Sequence, residues 1–301
     1  FFVHESLHDA FVDGFAAGAQ PALPLLEQLL ECALVIFGRL LQLIKGILEE
    51  PRRHRVRHAE AEGAHRVDTV DLLVAELDVP LLAFAGAPFT VASYLIEGRP
   101  SKDYRHTKAL IHTDEVLWHE VMERLAESAI TFIDAQLSHG AAAYQLFDSW
   151  AGSLSRRTYD RYVLPHSRHV FRELRRRHPD APAIHFGIGC DHLLASMLDA
   201  GPTVLGLDWR TPIGDARRRF GDHLVVQGNL DPALVLAGRE PALDGAAQVL
   251  RDNELPDGGQ HPGHIFNLGH GVQPDTDPAV LQAVVDFVHE RTTITQGTED
   301  S

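Results

Sequence analysis

The stretch 264-HIFNLGHGVQPDTDP-278 sets the reading of the fold. A short apolar run (Ile265, Phe266, Leu268) stops at Gly269-His270-Gly271, and a Pro/Asp-rich loop leads into the next segment. Five other runs end in the same way, on Gly, Asp, Ser or Asn: 81-LLAFAG, 142-AAYQLFDS, 182-PAIHFG, 203-TVLGLDW and 223-HLVVQGN. Short continuous apolar runs suit strands buried on both faces, as in parallel sheets. Helical stretches are expected near 113–139, 157–178, 190–200, 213–219, 242–253 and 278–291. Asp231-Pro232 and Asp277-Pro278 resemble helix-start pairs.

Strand–helix alternation of this kind leaves two architectures, the doubly wound sheet and the (β/α)8 TIM-type barrel. A doubly wound dinucleotide fold should carry GxGxxG after its first strand, but Gly187-Ile188-Gly189 is followed by His192 where the third glycine belongs. The α/β barrel is therefore expected. Ser149, Asp208, Asn229 and His270 would then end successive strands on the rim where barrel chemistry is assembled. Six units are visible, so residues 1–79 would have to supply two more.

Composition narrows the function. The chain has 301 residues, 45% of them hydrophobic, enough for one large core or two small ones. Its 42 acidic against 27 basic residues give a formal charge of −15, which argues against nucleic acid as a partner. An anionic substrate would need a local basic cluster. With 2 cysteines, Cys32 and Cys190, a disulfide framework is not expected and a cytoplasmic location is. The leucine-rich stretch 23–48 is broken by Glu27, Glu31, Arg39 and Lys45, so it reads as an amphipathic helix rather than a membrane span. The basic run 51-PRRHRVRH reads as a solvated linker, and 172-RELRRRHPD as an outward-facing helix surface. The chain opens at Phe1 and its first methionine is Met122, so Phe1 is not expected to be a natural N-terminus.

Individual residues suggest chemistry. His270 lies between glycines that permit close backbone approach, and an imidazole there could donate a hydrogen bond or hold an anion. In 86-GAPFTVASYLIEGRPSK-102, Gly-Ala-Pro favours a turn, Thr90 is a candidate helix cap, and Tyr94 would lie one turn into that helix. His185 and Cys190 in HFGIGC are zinc-type ligands, but no cysteine follows Cys190 and no metal site is expected. GxxxxGK[ST], GxSxG and HExxH do not occur.

With these residues in view, a resemblance emerges. AFAGAPFTVASYLIEGRPSK, YQLFDSWAG, IHFGIG, GLDWRTPIG, VVQGNLDP and HIFNLGHGVQPDTDP resemble, in this order, successive motifs of the uroporphyrinogen decarboxylase family, over residues of about 70–295. The resemblance implies a (β/α)8 barrel, a homodimer acting in cytoplasmic haem and porphyrin biosynthesis. The implied reaction removes carbon dioxide from the four acetate arms of uroporphyrinogen, giving coproporphyrinogen, without metal or organic cofactor. By this resemblance Tyr94 matches the family's substrate-binding tyrosine, Ser149 the substrate-binding residue of LFDSWAG, and His270 the histidine of NLGHG that contacts a substrate carboxylate or handles a proton, with Tyr94 and His270 the expected catalytic residues.

The N-terminal part departs from the pattern. The family's RQAGR-type motif, whose arginines grip carboxylates, and its FSD-type motif, whose aspartate accepts the pyrrole N–H groups, do not occur in residues 1–79. The expected organisation is an atypical segment 1–70 that is not native to the family, a barrel body 71–295 and a polar tail 296–301. Two other readings stand beside the decarboxylase: a non-catalytic porphyrin-binding homologue, and a relative of the zinc-dependent corrinoid methyltransferases.

Overall fold

The chain was described from a computed structural model, which describes residues 69–98, 101–255 and 259–292. The expectations for stretch 23–48, the basic run at 51–58, Cys32 and the segments 1–68 and 293–301 lie outside the described residues. Those residues form two compact units that divide after Gly206.

In the first unit a helical segment over 69–76 precedes strand β1 (Leu82–Gly86). Helices α1 (Pro88–Glu97), α2 (Arg105–Thr113) and α3 (Glu115–Ser138) lead to β2 (Ala143–Phe147). Then come α4 (Arg156–Tyr162), α5 (Leu164–Arg177), β3 (Ala183–Phe186), α6 (Leu194–Asp199) and β4 (Val204–Gly206). Neighbouring strands pair in parallel, β1 with β2, β2 with β3 and β3 with β4. The register aligns Gly86 with Phe147, Phe147 with Phe186, and Phe186 with Gly206. All four strands therefore stop at one level, and whatever follows β1, β2 and β3 emerges on one edge.

The second unit holds α7 (Ile213–Phe220), β5 (Val226–Leu230), α8 (Pro232–Leu236), α9 (Arg239–Asp252), β6 (His264–Leu268) and α10 (Pro278–Thr292). Strands β5 and β6 are parallel, with Leu230 opposite Leu268. Every one of the six apolar runs is a strand and each strand is followed by helix, the α/β alternation that a TIM-type barrel repeats.

The packing follows from the sequence periodicities. Along α3, Trp118, Met122, Leu125, Ala126, Ala129, Ile130, Ile133 and Leu137 recur at three- and four-residue spacing and form its buried face, which packs on α5 and α1. Asp114 caps this helix, accepting from the Leu117 amide at 3.0 Å. Asp231 and Asp277 also cap as expected, each accepting an amide two residues on at 2.9 Å. The arginines of α5 face outward and are paired: Arg168 with Asp199, Arg177 with Asp134 and Arg176 with Glu173.

Some elements differ from expectation. The helix expected over 157–178 breaks at Val163, because Pro165 has no amide to donate to a preceding turn and α5 starts afresh around it. The helix expected at 190–200 opens as a 3₁₀ turn, Asp191–Leu193, before α6. Strands β3, β4 and β5 are buried throughout, whereas β1 and β6 alternate and leave Leu82, Phe84 and Ile265 about two-fifths exposed. Each of these two pairs with a single neighbour among the described strands of its unit.

Candidate active site

The first unit brings Tyr94 and Ser149 to the same edge. Thr90 does not cap α1, because the helix already begins at Pro88, with Ala87 at its N-cap and no side-chain cap bond. It lies buried in the first turn, and its Oγ1 donates to Asp148 Oδ1 at 3.2 Å while accepting from the Trp150 amide at 3.3 Å. This clip fastens the helix bearing Tyr94 to the turn bearing Ser149. Asp148 is wholly buried, and its amide donates to Phe186 O at 2.7 Å, so the turn leaves the sheet in a fixed direction.

Around that turn stand three aromatic rings. Trp150 lies 5.7 Å from Tyr94, edge-on at 70°, and 5.7 Å from Tyr104, tilted at 39°. Burial raises the Tyr94 hydroxyl above its ordinary range, partly opposed by its hydrogen bond with Trp150. Tyr104 is pushed up to about 12, first by burial and then by the neighbouring Tyr94 and Glu97. Both phenols are therefore neutral hydrogen-bond donors at physiological pH. Ser149 is half-buried beside them.

The close packing of this edge needs glycine at one point. A side chain at Gly152 would collide with the carbonyl of Ile188 and come within 2.7 Å of Gly189 O. Cys190 is buried at the start of the 3₁₀ turn, its thiol 3.5 Å from Ile188 O. Among the described residues no three His, Cys, Asp or Glu side chains converge as a metal site, and His185 faces Asp148 at 3.8 Å.

The second unit holds Asp208 near its first described residues, Asn229 inside β5 and His270 just past β6. Asp208 is buried and accepts from the amide and the guanidinium of Arg210, at 3.0 and 2.7 Å. Arg210 in turn lies flat on Trp209, 3.8 Å from the ring centre. Asn229 does not present its amide to a ligand: Nδ2 donates to Asp208 O at 2.8 Å and to Thr211 O at 2.6 Å, so it pins the 208–211 turn.

His270 is exposed, its ring edge-on to Trp209 at 6.0 Å. Gly269 is needed for a reason other than ligand approach. A side chain there would strike the Trp209 amide and come within 2.9 Å of Trp209 Cβ. Its amide donates to Leu230 O at 2.8 Å, which continues the β5–β6 ladder one residue further and sets where His270 departs.

Sequence reading missed Asp148 as a structural anchor and Tyr104 beside it, and gave Thr90 and His185 other roles, a helix cap and a zinc-type ligand, than the contacts with Asp148 that they make. The available signals were a carboxylate closing an apolar strand in QLFD and an imidazole inside another in AIHF. A polar group inside a fully buried run must find a partner, and that partner is often part of a site.

Comparison with known proteins bears on this edge. The family model described as uroporphyrinogen decarboxylase (URO-D) matches residues 47–291. A uroporphyrinogen decarboxylase of Rhodococcus opacus is 50% identical over 221 residues, 73% of this chain and 62% of that protein. One of Salinispora tropica is 51% identical over 240 residues, covering 79% and 63%. One of Frankia casuarinae is 47% identical over 266 residues, covering 85% and 70%. The match spans less than two thirds of the length of the first two relatives.

Proposed function

The chain belongs to the uroporphyrinogen decarboxylase family, and from that premise we propose that it removes carbon dioxide from the four acetate arms of uroporphyrinogen to give coproporphyrinogen. The observation that carries the reading is the clip between Thr90, Asp148 and Trp150. It brings the two motifs that hold Tyr94 and Ser149 into one edge walled by aromatic rings.

The chemistry asks for proton donors and positioned polar groups rather than a redox or electron-sink cofactor. Protonation of the electron-rich pyrrole carbon beside an acetate arm turns the ring into an electron sink. The arm's C–C bond electrons then flow into the ring as carbon dioxide departs, the methylene left behind takes a proton to become methyl, and the ring carbon gives its added proton back, restoring the pyrrole. In this reading Tyr94 and Ser149 hold the substrate by hydrogen bonds, and His270 binds a substrate carboxylate or handles a proton. Aromatic faces at Trp150 and Tyr104 suit the flat pyrrole rings. The protein would act as a cytoplasmic homodimer in porphyrin biosynthesis.

A second reading, porphyrin binding without turnover, is favoured by one observation. Residues 1–79 carry neither the arginine motif nor the aspartate motif of the family. Loss of one preorganised partner of developing charge costs roughly 10²–10³ in rate. Anaerobic incubation with uroporphyrinogen, with products separated by carboxyl number, decides between them. Coproporphyrinogen, reduced roughly 10²-fold or more by Tyr94→Phe or His270→Ala, supports the decarboxylase. Tight binding of the porphyrinogen with all eight carboxyls retained supports the second reading, and neither binding nor product would overturn both.

A further inference from the structure

Behind the Ser149 turn lies a group of buried polar atoms that the proposed reaction does not use. Asp148, His185, Tyr159 and Ser167 are each 0% exposed. None of Asp148 Oδ2, His185 Nε2, Tyr159 Oη and Ser167 Oγ has a hydrogen-bond partner outside this group, within which the Tyr159 and Ser167 hydroxyls approach each other. They come from four separate elements: the end of β2, strand β3, helix α4 and helix α5. An unpaired buried polar atom costs about 1–3 kcal/mol, so four within one region are not a packing accident.

Their chemistry is complementary. His185 Nδ1 lies 3.3 Å from Met197 O, and a carbonyl can only accept, so Nδ1 carries a hydrogen and Nε2 is the ring nitrogen turned toward Asp148. Nε2 lies 3.8 Å from Asp148 Oδ2, beyond direct hydrogen-bond reach. Tyr159 adjoins Ser167 and senses the Asp148 charge. Burial, reinforced by that charge, holds the Tyr159 hydroxyl well above its usual range, so it remains a donor. A carboxylate oxygen, an imidazole nitrogen and a touching pair of hydroxyls are partners that one water molecule can join: it donates to Oδ2, accepts from the hydroxyl pair, and meets Nε2 with its remaining hydrogen or lone pair.

We infer that Asp148 Oδ2, His185 Nε2, Tyr159 Oη and Ser167 Oγ hold one enclosed water, and that Asp148, braced through it, is the positioning residue of the Tyr94 and Ser149 edge. One carboxylate oxygen grips Thr90, and so the Tyr94 helix and the Trp150 amide. The other is fixed by the water to β3, α4 and α5. The consequence for substrate rests on the function proposed above; the water and the brace do not.

Hydrogen–deuterium exchange on the 301-residue chain and its variants tests this. Asp148→Asn turns one acceptor into a donor and should speed exchange roughly tenfold in 87–98 and 148–154, leaving other segments within about twofold. Tyr159→Phe, which removes one hydroxyl, should show the same pattern more weakly, and it decides the matter if Asp148→Asn does not fold. A crystal structure should show water density among the four atoms. Uniform acceleration across all segments, no change in these two, or a direct His185–Asp148 bond without water would each overturn the inference. Where turnover is present, Asp148→Asn should lower kcat with little change in KM. A wild-type chain without turnover would count against the decarboxylase reading and leave the exchange result standing.

Discussion

His166 shows how a single residue links packing to pH. Its Nε2 lies 2.8 Å from His119 Nδ1, in the groove between α3 and α5. Burial first, then the nearby His119 and His169, lowers its imidazole from 6.5 to about 4. Between those two values the unfolded chain binds a proton that the folded chain refuses, so stability falls as pH drops through this window and is unaffected above it. The loss by pH 4 is on the order of 2–3 kcal/mol. His166→Gln removes the group, so its thermal midpoint should gain on the wild type as pH is lowered from 7 to 4.5. Parallel curves would show that His166 titrates alike in both states. At Gly269 the expectation is steric: Gly269→Ala would press on the Trp209 backbone. It should cost about 1–3 kcal/mol in urea unfolding, with a changed tryptophan emission from Trp209. The placement of Ser149 and His270 just past strand ends was legible, because an apolar run closed by a Gly- or Asp-bearing turn has a local sequence signature. The anchoring role of Asp148 was not, because the groups its side chain faces, Thr90 and His185, lie 58 and 37 residues away.

At the scale of elements, legibility followed the range of the forces involved. All six strands were readable, because continuous apolar runs bounded by Gly and Asp are a local signal. Helix α2 was not, because RHTKALIHT is polar and no residue before it looks like a cap. Its cap comes from another helix. Glu97 Oε1, at the end of α1, accepts from the amides of His106 and Thr107 at 3.0 and 2.9 Å and from Thr107 Oγ1 at 3.0 Å. Burial alone would raise this carboxyl, but the hydrogen bonds from Thr107 and His106 outweigh it and hold the group below its ordinary value. Three bonds through one oxygen also tie α2 to the helix that carries Tyr94. Glu97→Ala should therefore cost about 1–2 kcal/mol and accelerate amide exchange at His106 and Thr107 before any other part of α2. Equal protection in the variant would mean that α2 is held by its apolar contacts at Thr107 and Ile111 instead.

Over the whole molecule the sequence carries a long-range field that no single element shows. A formal charge of −15 surrounds a site proposed to accept a substrate with eight carboxylates. Arg210, which lies over the Trp209 ring that faces His270, is already paired with Asp208, so it adds little net attraction there. Like charges repel at distances of the order of the Debye length, about 30 Å at 0.01 M salt and 10 Å at 0.1 M. The repulsion is thus felt before any hydrogen bond forms, and it acts on the encounter rather than on the bound complex. The association rate of uroporphyrinogen, followed by stopped-flow quenching of tryptophan emission, should rise as salt is increased across that range, while dissociation changes less. A falling rate would reveal a local cationic field strong enough to override the net charge. It would then send the search for carboxylate-gripping arginines to the basic run at 51–58, where four of them stand within seven residues, Arg52, Arg53, Arg55 and Arg57.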